Sequence, residues 1–171
     1  MTVLDIRFNS KTEQVELVYP NGKTEVLADH SPTKPQKSPD NKKAVYISPL
    51  EWEARGSLYL VDLKSGEQDV LVTPEGDFIP KNVIWQDDSR ILVIIGYGHG
   101  TVSVGGNIYS VNIKTKEKVQ ITQYDGHIQI LDLEIIENDV LNYRGIKYKD
   151  EELNESEVYS NNISLNSLMS Y

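Results

Sequence analysis

The chain repeats itself, and that constrains its fold more than any other feature. PDNKKAVYI from Pro39 is matched 47 residues later by QDDSRILVI from Gln86. GSLYLVDLKSGE at 56–67 is matched by GNIYSVNIKTKE at 106–117, an offset of 50, and VLVT at 70–73 by VQIT at 119–122. The second copy therefore carries about three extra residues, in or near the stretch GYGHGTVSVGGN at 96–107. A period of 40 to 50 residues is the mark of an array in which each unit buries its apolar face only against its neighbours.

Each unit has one physical logic. A turn carrying Asp40 or Asp87 comes first, because Asp and Asn side chains bond nearby backbone N–H groups and tolerate unusual dihedrals. A β-rich run follows, then a connection, a second strand and a short turn. In the strand at 58–63 the two-residue period puts Leu58, Leu60 and Asp62 on one face and Tyr59, Val61 and Leu63 on the other. Lys64-Ser65-Gly66-Glu67 then closes a hairpin. The N-terminal stretch predicts strands at VLDIRF, QVELVY and TEVLA, with Pro20-Asn21-Gly22-Lys23 as a hairpin turn. HIQILDLEII, a turn at Glu137-Asn138-Asp139 and VLNYR follow the second repeat. The acidic run 149–157 reads as a loop or short helical turn, and the tail NNISLNSLMSY as a last strand. HSPTKPQKSPDNKK, 30–43, reads as a loop because of its three prolines. No segment keeps a helical period of apolar residues, and roughly twelve or thirteen strands are expected.

The turn SPDNKK before a strand, and the later GSLYLVDLKSGE, resemble the repeat of TolB-type propellers and of the N-terminal propellers of prolyl oligopeptidase-like enzymes. In that repeat Gly stands where this chain has Asn41, and again where the second copy has Lys116. The chain also resembles a bacterial propeller-like family that is a domain of unknown function. The resemblance implies an all-β, propeller-like array of three to four antiparallel blades, in units of roughly 1–29, 33–73, 81–122 and 127–171. Closed propellers hold about four to eight blades, so either four small blades close, or the blades form an open stack, or the chain is a fragment; an open array would leave blade edges through which two copies can pair. The catalytic residues of the oligopeptidase-like enzymes lie in a separate domain. This sequence has no Gly-x-Ser-x-Gly, and no catalytic residue carries over.

Composition narrows the function. A net charge of −9 opposes a sequence-independent grip on nucleic acid and attachment to anionic lipid. The absence of cysteine excludes disulfides, thiolate nucleophiles and Cys-ligated zinc. No apolar run is long enough to span a membrane. The N-terminus shows no basic region followed by an apolar stretch. An extracytoplasmic or cell-surface place, with a signal or anchor outside this sequence, stays open.

Gly96, Gly98 and Gly100 follow an apolar strand, as in a phosphate-binding loop, but strand-like TVSVGGNIYSV comes next where such a loop needs a helix. The stretch reads as a long connection between blade strands, the counterpart of SPLEWEARG at 48–56. His30, His99 and His127 have no metal-binding spacing, and no metal or cofactor is expected. Tyr59 and Tyr109 match across the repeat and are expected to be packed, with partnered hydroxyls. Trp52, Tyr97 and His99 are the candidate ligand-binding residues, at one end of the array. The expected function is a non-enzymatic module for a protein, small-molecule or glycan ligand. The alternatives are a glycan-acting hydrolase using surface carboxylates and a scaffold fragment of a larger protein.

Overall fold

The computed structural model describes residues 4–168. It holds fourteen strands in four antiparallel sheets. The first sheet is β1 (Asp5–Asn9), β2 (Gln14–Val18) and β3 (Thr24–Ala28). The second is β4 (Gln36–Lys37), β5 (Lys43–Ser48), β6 (Ser57–Asp62) and β7 (Gln68–Val72). The third is β8 (Phe78–Trp85), β9 (Arg90–Tyr97), β10 (Asn107–Asn112) and β11 (Lys118–Gln120). The fourth is β12 (Ile128–Ile136), β13 (Val140–Tyr148) and β14 (Ser156–Ser164). Each is a simple meander.

The second and third sheets are copies: β5 and β6 occupy the places of β9 and β10. Lys43↔Asp62 pairing recurs as Arg90↔Asn112, and Ile47↔Leu58 as Ile94↔Ile108. The turns recur as well. Asp62 Oδ1 accepts the N–H groups of Lys64 and Ser65, and Asn112 Oδ1 those of Lys114 and Thr115. Asn9 does the same for Lys11 and Thr12. Asp40 and Asp87 bond the backbone of their own turns at Lys42 and Ser89. Asp88 reaches across from one unit to the other and accepts from the Asp40 N–H at 2.9 Å.

Because side chains alternate, each inner sheet buries both faces. Ala44, Tyr46, Val61 and Leu63 pack on Leu4, Ile6, Val15 and Leu17 of the first sheet. Val45, Ile47 and Leu58 pack instead on Val83, Ile91, Val93, Val111 and Ile113 of the third. Leu92, Ile94 and Ile108 turn the other way, onto Ile130, Leu141 and Tyr143 of the fourth. The faces expected for Leu58 and Leu60 against Tyr59, Val61 and Leu63 are those observed. Among the described residues no apolar cluster joins the fourth sheet back to the first, so the four blades form an unclosed array.

The end blades solve the problem this creates. Outward from the first sheet face Arg7, Asn9 and Glu16, with Arg7 Nε and Asn9 Nδ2 donating to Glu16 Oε1. Outward from the fourth face Asp132, Glu134, Asn142, Arg144, Ser160 and Asn162. Polar outer faces let a short stack stop without exposing a core.

Two expectations change. The 30–43 stretch is not loop throughout: Gln36–Lys37 pair with Val45 and Ala44 as the first strand of the second sheet. Trp85 Nε1 donates to the Gln36 carbonyl, and Gln36 Nε2 to that of Val83, so the short strand is also tied to the next blade. The tail ends as β14 followed by one helical turn, α1 (Leu165–Leu168), whose Leu165 is buried against the fourth sheet. Residues 169–171 of that predicted strand lie outside the described residues, as does the start of VLDIRF. Tyr59 stacks on Tyr46 at 5.3 Å, and Tyr109 lies under the Lys118 ammonium.

Candidate functional site

The site is built by two equivalent connections, 49–56 after β5 and 98–106 after β9. Both leave a blade at the same end and return through a glycine that allows close backbone approach. A Cβ on Gly56 would meet the Pro49 carbonyl oxygen at 2.1 Å, and one on Gly106 that of Ile95 at 2.2 Å. Neither position accepts a side chain, so both connections fold back tightly over the end of their sheets.

The longer connection is held by Lys81. This residue is the extra one in a β-bulge, between Pro80↔Ile95 and Asn82↔Ile94, which aims its side chain along the sheet end. Its Nζ donates to the carbonyls of Tyr97 at 2.6 Å, Ser103 at 2.6 Å and Gly105 at 3.0 Å. An ammonium has three donors, so Lys81 has none left for a ligand. Burial pushes it down to about 8. Gln129 adds a second tie, accepting from the Gly105 N–H and donating to the Val102 carbonyl. The two connections then meet: the Gly100 N–H donates to Glu53 Oε1 at 3.2 Å.

Between them lies a cleft of about 290 Å³, lined by Leu50, Glu51, Trp52, Glu53, Ile79, Lys81, Gly98, Gly100, Ser103 and Val104. Trp52 stands at its mouth and is 74% exposed. Tyr97, 42% exposed, packs edge-on against Phe78 and against His99, at 6.1 and 5.4 Å between ring centres. His99 Nε2 lies 2.9 Å from Asp77 Oδ1. Tyr97 and His99 are thus in contact with each other, while Trp52 shares the cleft with Gly98 and Gly100 on either side of His99. Glu51 accepts from the Ser31 hydroxyl and lies 3.0 Å from His30; the Ser31 bond, then His30, hold its carboxyl below the usual value despite some desolvation.

Six residues of this end escape a reading of the sequence alone: Leu50, Phe78, Lys81, Val102, Val104 and Glu53. The signal for Glu53 was present in Glu51-Trp52-Glu53, two acids around an exposed indole. For Lys81 it was a lone cation in the otherwise uncharged run FIPKNVIW. The other histidines also meet carboxylates: His127 Nδ1 lies 3.3 Å from Asp125 Oδ1.

A second concavity, of about 810 Å³, is the polar outer face of the fourth blade. Asp132 and Glu134 stand there two residues apart on one strand face, the kind of carboxylate pair glycan hydrolysis requires. Both are exposed, whereas the acid of such a pair needs a carboxyl shielded from water. Among the described residues no helix is long and apolar enough to cross a membrane.

Fold and cleft together define an open, four-bladed, β-propeller-like domain whose loops gather at one end. The chain belongs to the family described as a domain of unknown function, DUF4652, whose model matches residues 51–165. Among solved structures it is similar to a Clostridium novyi NT protein described as a conserved lipoprotein. There the identity is 25%, the TM-score 0.72, and the match covers 95% of this chain and 96% of that one. It is also similar to TolB from Acinetobacter baumannii, at 16% identity and TM-score 0.50, over 92% of this chain and 38% of that one. A third is the β-propeller domain of the Trilobed protease from Pyrococcus furiosus, which has an open velcro topology. That match has 11% identity and a TM-score of 0.52, over 95% of this chain and 52% of the other. This chain thus spans well under two thirds of the latter two, which speak for fold alone. No curated protein matches it. The resemblance to TolB-type propellers and to a propeller-like domain of unknown function is borne out.

Proposed function

We propose that this domain is a non-enzymatic interaction module, and that it binds through the end carrying the two tied connections. One observation supports the reading above the rest. Of the ten large apolar side chains exposed among the described residues, six gather there: Leu50, Trp52, Phe78, Tyr97, Val102 and Val104. The other four, Val26, Val119, Ile136 and Val158, lie apart from it on other strands. Scattered exposed apolar residues need no explanation, but a contiguous group rimmed by polar side chains marks an interaction site. The connections are held by Lys81, Gln129 and Glu53, so little ordering cost opposes binding. Tyr97 and His99 flank the cleft as secondary contacts.

The test is a thermal-shift screen of peptides and oligosaccharides against the wild type, Trp52→Ala and Tyr97→Ala. Ligands that stabilise the wild type should fail to stabilise Trp52→Ala. Ligands that stabilise all three proteins equally would place binding elsewhere, with the polar concavity of the fourth blade as the next candidate.

A further inference from the structure

We infer that the cleft receives a basic side chain, an Arg or Lys of an otherwise apolar partner peptide, held over the Trp52 indole and against Glu53. The inference rests on the reading of this end as the interaction face, and deepens it.

Three observations carry it. The first is the arrangement Glu51-Trp52-Glu53 at the mouth of the cleft, with the indole largely in solvent. Tryptophan is the best aromatic partner for a cation, and its face is open. The second is which groups have bonding capacity left. Lys81 spends all three donors on the carbonyls of Tyr97, Ser103 and Gly105. It therefore offers an anionic ligand no hydrogen bond. Glu53 uses Oε1 for the Gly100 N–H, and among the described residues its second oxygen has no partner. Glu51 has both oxygens engaged, by His30 and Ser31, and contributes charge rather than a free acceptor. What the cleft presents to a cation is a carboxylate acceptor beside a π-face.

The third is charge. The cleft is lined by two carboxylates and one half-buried ammonium, and Asp77 lies beside His99 at its edge. The whole chain carries −9. A partner that brings positive charge is favoured on approach, and one that brings negative charge is repelled. The apolar neighbours Leu50 and Val104, which line the cleft, then suit the aliphatic stem of a long basic side chain and the apolar residues beside it.

The experiment uses the full chain and two capped hexapeptides, one alternating leucine and arginine, the other leucine and glutamine. Binding is measured by calorimetry at two salt concentrations. The arginine peptide should bind about tenfold tighter than the glutamine peptide and weaken with salt. Trp52→Ala and Glu53→Gln should each reduce its affinity about fivefold, and neither should change the affinity of the glutamine peptide by as much. Equal affinities for the two peptides, both lost in Trp52→Ala, would overturn the preference for a cation and leave the interaction face standing. Binding of neither peptide, with the protein adsorbing instead to neutral phosphatidylcholine vesicles through Trp52, would overturn the peptide partner as well.

Discussion

The ammonium of Lys81 donates to the carbonyl of Tyr97 at 2.6 Å, across a β-bulge that places the one charged side chain of β8 among uncharged neighbours. That contact, with those to Ser103 and Gly105, decides whether the 98–106 connection is an ordered wall or a floppy loop. Lys81→Met keeps the length of the side chain and strands three carbonyls. It should lower stability by about 2–3 kcal/mol and open the connection to proteolysis. Limited digestion together with urea unfolding checks both effects.

The same residue gives stability a pH dependence. Folded Lys81 is pushed down to about 8 from an ordinary value of 10.5. Between those two values the unfolded chain holds a proton that the folded chain has released, so stability rises with pH across that window. Below about 8 both states are protonated, and the cost of the buried charge is present in full. The deficit of Lys81→Met relative to wild type should therefore be larger at pH 9.5 than at pH 7, measured by chemical unfolding. A deficit that shrinks with rising pH would mean that the three carbonyls hold the proton more strongly than burial expels it.

Gly56 and Gly106 let the backbone pass a carbonyl oxygen at a distance no Cβ tolerates. Gly106→Ala should cost more than about 3 kcal/mol, since backbone rather than a flexible side chain has to move. Gly56→Ala should cost a similar amount. Gly76→Ala and Gly22→Ala meet no atoms, and should pay only for their positive φ. Thermal melts of the four variants separate steric from torsional cost.

Lys116 has φ +64 at the turn position that Gly66 fills with φ +80 in the preceding blade, and Glu13 with φ +54 in the first. Lys116→Gly should stabilise the domain by about 0.5 kcal/mol, because the strain relieved outweighs the added freedom of the unfolded chain. Its exposed ion pair with Asp69 is worth little. Gly66→Ala should do the reverse and cost about 1–2 kcal/mol, visible as a lower urea midpoint.

The outer faces of the end blades are mostly polar, with only Val26 on the first and Ile136 and Val158 on the fourth as exposed large apolar residues among the described residues, so stacking of one array on another through them gains little. Sedimentation at micromolar concentration should show no association through these faces. The double variant Glu134→Leu and Arg144→Leu should associate, because it extends the exposed apolar patch of Ile136 and Val158 across the fourth blade. Any self-association of the wild type would then run through a free strand edge such as β14, and Val158→Pro, on that strand, should disrupt it.

What the sequence determined by itself is the part of the fold written in short-range chemistry. The two-residue period of LYLVDL assigned each side chain of β6 to its face, and the packing of Leu58 and Val61 on opposite blades follows from it. Asp40 and Asp87 marked their turns because the bonds they make reach only two or three residues ahead. The strained Lys116 was legible as a departure from a glycine turn. Trp52 and the glycine stretch could be aligned as equivalent connections, which put the candidate site at one end.

The tertiary structure decided what depends on contacts between distant residues. Gln36–Lys37 form a strand only because Ala44 and Val45 offer an edge and Trp85 and Val83 a partner in the next blade. Three prolines in that stretch spoke for a loop, and local propensity lost to pairing. Lys81 became the tie of the 98–106 connection through a one-residue bulge, a register detail with no local signature. Phe78, Tyr97 and His99 share one end because β8 and β9 pair in that register, and Glu53 meets Gly100 because two blades pack side by side. The repeat fixes what each blade is; the meeting of loops from different blades, where the candidate site lies, exists only once the blades are stacked.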